Sequence, residues 1–140
     1  MTDDKRRVLW HGTVLVLLGL ATGAFLQSFA NPRLALAAHV GGIMNGMLIM
    51  VVGAVWSELA LSATLGRSLF WSLVYSGYVN WLGLVFAAAF GTTSTTPLLG
   101  DGTAAEPWQE QLVAFCLVSG AVVTLAAVVV VLFGLRLRAE

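Results

Sequence analysis

Uncharged, mostly apolar stretches alternate along the chain with short segments that carry nearly all of its charged side chains. Four such stretches cover residues 8–30, 37–56, 69–90 and 112–135. Each has roughly the 20 residues that a helix needs to cross a hydrocarbon core of about 30 Å. Because lipid offers no partners to backbone N–H and C=O groups, such stretches must be helical. The pattern predicts an all-α integral membrane protein, a four-helix bundle made by one four-span domain covering residues 1–140.

Composition supports this class and excludes others. Hydrophobic residues make up 59% of the chain and charged residues 10%, whereas soluble domains average about 45–50% and about 25%. Seven basic and seven acidic residues give a formal net charge of zero, so no electrostatic footprint for nucleic acid is present. The single cysteine, Cys116, excludes an internal disulfide and any zinc or iron–sulfur site built from several cysteines.

The basic residues fall on one side of the predicted spans, with Arg33 as the exception. The six on the common side are Lys5, Arg6, Arg7, Arg67, Arg136 and Arg138. Because lysine and arginine favour the cytoplasmic side, both termini are predicted to be cytoplasmic in a bacterial-type inner membrane. The loop 91–111, which carries Asp101, then lies outside.

His39 is the most informative polar residue inside the spans. At 100° per residue, Gly42 and Gly46 fall within about 60° of its direction on the helix. A face without side chains below a histidine leaves space for a flat, bulky group such as a haem held by the imidazole. The alternative is that these glycines admit a neighbouring helix and His39 bonds a carbonyl. His11 lies most of a membrane thickness away and is interpreted as an interfacial or packing residue.

Asn45 and Asn80 form a second pair. Counted from the outer ends of their spans, they lie about 12 Å and about 15 Å deep. An uncharged amide with two donors and two lone pairs suits the orientation of a small polar group in a dry cavity. The alternative is that the two amides only hydrogen-bond across helices. Aromatic residues of the third span are candidates for an apolar pocket lining: Trp71, Tyr75, Tyr78 and Trp81.

Together these residues resemble a known family. The matching runs are RVLWHGT at 7–13, NPR at 31–33, AH at 38–39, NGM at 45–47 and NW at 80–81. They look like the hydroxylaminobenzene mutases, and the spacing from His39 to Asn45-Gly46-Met47 is also similar to styrene oxide isomerase, a related membrane enzyme. The likeness covers roughly the first three spans and is moderately specific.

The resemblance implies a trimeric four-helix membrane isomerase that carries haem b. The iron-binding histidine of the family maps onto His39, and its active-site asparagines map onto Asn45 and Asn80. The epoxide isomerase has a catalytic tyrosine four residues after the second asparagine, whereas this chain has Leu84. That departure favours the mutase branch. Arg33 is a candidate partner for a haem propionate or, equally, an ordinary loop charge.

The function expected from the sequence is the rearrangement of hydroxylaminobenzene to 2-aminophenol by intramolecular hydroxyl transfer. Ferric haem b on His39, with Gly42, Gly46 and Arg33 around it, would act as the Lewis acid. The expected partners are a small aromatic substrate, membrane lipid and two further copies of the chain. Alternatives are an epoxide isomerase, a haem-binding electron-transfer subunit, and a scaffold or small transporter. The lack of charges within the spans argues against ion-coupled transport.

Overall fold

The computed structural model describes residues 3–100 and 105–136. Within them lie four long helices: α1 (Asp3–Ala24), α2 (Pro32–Ala54), α3 (Ala63–Phe90) and α4 (Pro107–Arg136). Short 3₁₀ turns, Leu26–Ser28 and Trp56–Glu58, lie in the first two connections. Each long helix has the length and apolar composition to span a membrane. For these described residues, the prediction of an all-helical chain with four helices long and apolar enough to cross a membrane is confirmed.

The helix ends differ from the predicted spans for local reasons. Helices α2 and α4 begin at Pro32 and Pro107, five residues earlier than predicted. Proline suits the first helical position, because its φ is already helical and the N–H that it lacks would have no partner there. Helix α1 ends at Ala24, six residues before the predicted end at residue 30. Asn31 has φ −122° and ψ 99°, because the residue before a proline is held extended.

Helices α1 and α2 cross at very short range through glycines. A Cβ built on Gly42 would lie 2.9 Å from the Cα of Gly19, and one on Gly46 would lie 2.7 Å from the carbonyl oxygen of Gly12. Only residues without side chains permit two helix backbones to approach this closely. Helix α3 packs on α2 and in part on α1, and α4 packs on α3.

The basic residues gather at one end of the bundle. The Lys5 ammonium donates to the carbonyl of Ala54 at 3.2 Å, and the Ala60 N–H donates to the carbonyl of Gly134 at 3.0 Å. These bonds join the start of α1, the connection from α2 to α3 and the end of α4. Arg33 lies at the opposite end, at the start of α2. Arg138 and Asp101 lie outside the described residues, and which end faces the cytoplasm stays a prediction.

Asn31 joins three segments at that opposite end. Its side-chain oxygen accepts from the N–H groups of Arg33 and Leu34 at 3.0 Å and 3.1 Å and so caps α2. Its amide nitrogen donates to the carbonyl of Leu99 at 2.9 Å, and its backbone N–H donates to the carbonyl of Ala88 at 3.0 Å. With the residue only 1% exposed, water cannot replace these bonds.

We expect Asn31→Ala to destabilise the fold by about 1–3 kcal/mol, since it removes a helix cap and leaves the half-buried Leu99 carbonyl without its donor. The measurement is the melting temperature in detergent. Ser62→Ala is the matched control, because Ser62 caps α3 through one exposed bond of 3.3 Å. Equal shifts in the two variants would show that the bond to Leu99 contributes nothing.

Candidate functional site

The His39 imidazole is fixed by a backbone carbonyl of the neighbouring helix. Its Nδ1 lies 2.8 Å from the carbonyl oxygen of Gly19. A carbonyl only accepts hydrogen bonds, so Nδ1 carries the proton and Nε2 carries the lone pair. A histidine that ligates a metal uses the same arrangement, with one ring nitrogen donating to a carbonyl while the other faces the metal. The bond to Gly19 therefore fixes the ring and leaves Nε2 without the proton.

A single histidine donor at this place is compatible with a haem. In the part of the chain that the structure describes, no three His, Cys, Asp or Glu side chains come together as a metal site. A haem brings four ring nitrogens of its own and needs one axial protein ligand. A single imidazole with an available Nε2 meets that requirement.

Helix α1, together with Trp81 of α3, fills the space beside the glycines below His39. A Cβ on Gly42 would contact Gly19 of α1 and would also lie 2.8 Å from Cδ1 of Trp81 on α3. A Cβ on Gly46 would lie 2.7 Å from Cγ2 of Val16. The prediction that Gly42 and Gly46 border an open groove is wrong for the described chain, because they are helix-packing positions. The alternative interpretation, a neighbouring helix and a carbonyl-bonded histidine, describes the local geometry.

The two asparagines lie at one depth on facing helices. A Cβ on Gly41 would lie 2.9 Å from Cδ1 of Leu84, which fixes the register of α2 against α3. Consecutive spans run antiparallel, so a step of four residues forward on α2 matches a step of four residues back on α3. From Gly41 and Leu84, these steps lead to Asn45 and Asn80, which therefore lie at the same depth. One turn beyond the two asparagines, Gly77 of α3 packs on Ile49 of α2. The asparagine pair thus lies between two close contacts of these helices. The predicted agreement in depth is confirmed.

Each amide has a different immediate environment. The Asn45 side-chain nitrogen donates to the carbonyl of Gly41 on its own helix at 2.9 Å, so this donor is not used across helices. The Cγ of Asn80 lies 3.4 Å from the place of a Cβ on Gly120 of α4. Both side chains are half-buried. Gly41 and Gly120 thus let neighbouring side chains approach the two helices closely beside the amides.

His39 and the asparagines are not brought together within one copy of the chain. His39 contacts α1 through Gly19, whereas Asn45 lies on the flank of α2 that faces α3. Six residues separate them, which is about 9 Å along the helix and about 120° around it. A site that uses both His39 and Asn45 needs something to bridge the two flanks of α2.

His11 has the packing role expected for it. Its ring lies edge-on to Trp10, Phe70 and Tyr78, with centroids 4.9, 5.7 and 5.9 Å away. Along α1 it is about 12 Å from Gly19, where His39 binds. A second axial ligand from His11 is thereby excluded within the protomer.

The aromatic residues of α3 do not line one common pocket, contrary to the prediction. Trp71 lies at the basic end beside Phe70, and the Tyr75 hydroxyl is 2.9 Å from that of Ser119 on α4. The Trp81 N–H donates to the Thr22 hydroxyl on α1 at 3.2 Å. Helical periodicity distributes these rings to different neighbours.

Arg33 is exposed in the first turn of α2. Its backbone N–H donates to Asn31 at 3.0 Å, and its guanidinium group is left at the surface of the bundle end near His39. Its role toward a carboxylate of a bound group stays a prediction.

Sequence reasoning missed Gly23 as a site residue. A Cβ at this position would overlap the His39 ring, with 2.7 Å to Cε1 and 3.0 Å to Cγ. The four-residue spacing of Gly19 and Gly23 is typical of close helix packing, but it does not show that the group packed there is the imidazole. Gly41 and Gly120 were missed for the same reason, since the contact partner of a glycine is a tertiary property.

Comparison with known proteins gives consistent matches. A sequence model of the family described as styrene oxide isomerase matches residues 4–136. Hydroxylaminobenzene mutase HabB of Ectopseudomonas oleovorans is 37% identical over 132 residues, 94% of this chain and 80% of the relative. Hydroxylaminobenzene mutase HabA of the same organism is 36% identical over 125 residues, 89% of this chain and 93% of the relative.

Proposed function

The chain belongs to the styrene oxide isomerase family, and from this premise we propose that it rearranges hydroxylaminobenzene to 2-aminophenol within a membrane. Its class is that of an isomerase, as its relatives are mutases. We choose this substrate because the chain is 37% identical to a hydroxylaminobenzene mutase along 94% of its length.

The reaction moves a hydroxyl group from nitrogen to the ortho carbon of the ring, and a proton from that carbon is returned to the nitrogen. Atoms and electrons balance within one molecule, so no oxidant or reductant is consumed. The enzyme must hold the aromatic ring, weaken the N–O bond and keep the migrating hydroxyl from water. These tasks require uncharged hydrogen-bonding groups in an apolar surrounding.

We assign iron binding to His39, whose Nδ1–H bonds Gly19 at 2.8 Å and leaves Nε2 for the metal. A ferric haem b bound there would supply the Lewis acidity that weakens the N–O bond. Arg33 at the nearby bundle end would pair with a propionate. The iron ligand is thus held by α1 and α2 together.

Asn45 and Asn80 act on the polar end of the substrate in this proposal. Their common depth on α2 and α3 allows one amide to hold the hydroxyl and the other to hold the amine. Between them the two carboxamides offer donors and acceptors without adding a charge to the membrane interior. Gly41 and Gly120 pack closely on Leu84 and Asn80, so the neighbouring helices hold the two amides at that depth.

A homotrimer completes the proposed site. His39 and Asn45 lie on different flanks of α2, so a second copy would bring a histidine toward the asparagines of its neighbour. Helix α2 also has an exposed apolar stripe beginning one turn before His39: Leu36, Val40, Met44, Met47 and Val51. On the predicted orientation, the assembly lies in a bacterial-type inner membrane with both termini in the cytoplasm.

Epoxide isomerisation is the second candidate, because the matching family is described as styrene oxide isomerase. Leu84 counts against it, since the resemblance puts a catalytic tyrosine there and leucine has no hydroxyl. An electron-transfer subunit would need two axial ligands, and His11 is too far along α1 to be the second.

The test is turnover by the detergent-purified protein supplied with haem. We expect conversion of hydroxylaminobenzene to 2-aminophenol, followed by chromatography, at least about 10²-fold above the protein-free rate, a small part of the usual enzymatic acceleration. Styrene oxide, assayed in parallel for its aldehyde isomer, is expected to react much more slowly. The reverse preference would assign the chain to the epoxide branch, and no turnover of either would refute the proposal.

A further inference from the structure

Two cavities open at the basic end of the bundle, away from His39. One, of about 520 Å³, lies between the starts of α1 and α3 and is lined by Asp4, Arg7, Ala63, Arg67, Phe70 and Trp71. The second, of about 420 Å³, is lined by Arg6, Arg7, Trp10 and His11. Both volumes fall within the range of small-molecule sites. Arg7 lines both cavities, so its side chain is common to the two linings.

The combined lining is strongly positive. Arg6, Arg7 and Arg67 contribute three guanidinium groups against the one carboxylate of Asp4. The Asp4–Arg7 pair is long, 3.9 Å, and its side chains are 61% and 54% exposed, so it contributes little and neutralises Arg7 only weakly. An anion entering this place meets an excess of positive charge.

Arg7 is held in position by a buried ring. Its guanidinium carbon lies 4.6 Å from the centroid of Phe70, which is 3% exposed, and Trp71 packs edge-on to Phe70 at 5.1 Å. This cation–π contact favours a position of the guanidinium group above the ring, and its planar fork of N–H donors matches the geometry of an oxyanion. Arg7 is therefore preorganised to donate to a planar or tetrahedral oxyanion.

The surroundings identify the source of that oxyanion. Trp10 and Trp71 are 60% and 57% exposed at the ends of their spans, where tryptophan side chains lie at the headgroup level of a membrane. We propose that Arg7 and Arg67, assisted by Arg6, bind the phosphate group of an anionic phospholipid, with the aromatic rings against its glycerol and upper acyl chains. The positive excess favours an anionic over a zwitterionic lipid. This site is independent of the proposed reaction.

The experiment is native mass spectrometry and thermal melting of the full chain in detergent, titrated with phosphatidylglycerol or phosphatidylcholine. We expect phosphatidylglycerol adducts to survive and to raise the melting temperature, and phosphatidylcholine to do so much less. Arg67→Gln should weaken phosphatidylglycerol binding about tenfold, the scale of a lost charge-assisted contact. Because the Arg67 side chain is exposed, the melting temperature of the Arg67→Gln protein without lipid should equal that of the wild type.

Arg136→Gln is the matched control, because Arg136 ends α4 at the same end of the bundle and lines neither cavity. A loss of affinity as large as that of Arg67→Gln would reduce the effect to diffuse attraction and overturn the site. Arg7→Lys keeps the charge without the planar fork and should also weaken binding. Displacement of the lipid by equimolar inorganic phosphate would show that the site takes soluble phosphate, contrary to the proposal.

Discussion

His39→Ala should abolish the Soret absorption of the purified, haem-supplemented protein and lower turnover of hydroxylaminobenzene by at least about 10²-fold. The expected loss is large because the structure offers one oriented imidazole, with Nδ1 bonded to Gly19 at 2.8 Å, and no cluster of other ligands among the residues described. In the proposed site, losing the axial ligand would remove both the haem and the Lewis acidity that it would supply. Absorption spectra and product formation on the same preparation measure the two effects.

His11→Ala is the matched control, since it removes the other histidine from an aromatic cluster about 12 Å along α1. It should keep the band and the rate. A normal spectrum in His39→Ala would refute the ligand assignment, and a wild-type protein without a band after haem supplementation would remove the haem proposal.

Gly23→Ala tests the same imidazole without deleting it. The added Cβ would overlap the ring and force it away from the Gly19 carbonyl, so the Soret band should shift or weaken. Gly66→Ala is its control, because a Cβ there meets nothing within 4 Å. An unchanged band in Gly23→Ala would show that the orientation of His39 by Gly19 is not needed for haem binding.

The spans could be predicted from sequence because the cost of burying charge in lipid is local and additive. Fourteen charged residues outside four apolar stretches were enough to place four helices. The ends of the helices could not be predicted with the same accuracy. Apolar residues continue through Phe25 and Leu26 after α1 has ended. There the chain follows the extended backbone of Asn31 before Pro32, so turn chemistry overrides hydropathy.

The group that packs against Gly42 and Gly46 could not be predicted from the sequence. Periodicity placed Gly42 and Gly46 near the direction of His39, but it could not decide between a porphyrin and a helix as their neighbour. The decision comes from α1, whose own glycines at 12 and 19 bring its backbone into contact with α2. A face is a property of one helix, whereas its occupant depends on how two helices cross.

The depth of the asparagines was predictable, because antiparallel spans joined by a short connection have a nearly fixed register. Their distance from His39 was also contained in the sequence, since six residues turn a helix by about 240°. What the sequence could not show was that, in the folded chain, His39 packs against α1 while Asn45 lies on the flank facing α3. The separation of His39 from Asn45 is the physical reason for proposing an assembly of several copies.

Asn45→Ala and Asn80→Ala should each lower turnover by about 10²-fold, the scale of removing one hydrogen bond that stabilises a transition state. Their melting temperatures should change little, because the Asn45 amide bonds its own helix and Asn80 packs against a glycine. Turnover at saturating substrate, with the melting curve of each variant, separates catalysis from folding.

Thr124→Ala is the matched control, since Thr124 bonds the carbonyl of Gly120 four residues back at 2.8 Å, as Asn45 bonds that of Gly41. It should keep the wild-type rate. If both asparagines hold one substrate, the double variant should lose much less than the product of the single losses, since groups that act as a unit are not additive. Undiminished rates in both single variants would instead assign Asn45 and Asn80 to helix packing, and the proposed site would then lose its polar end.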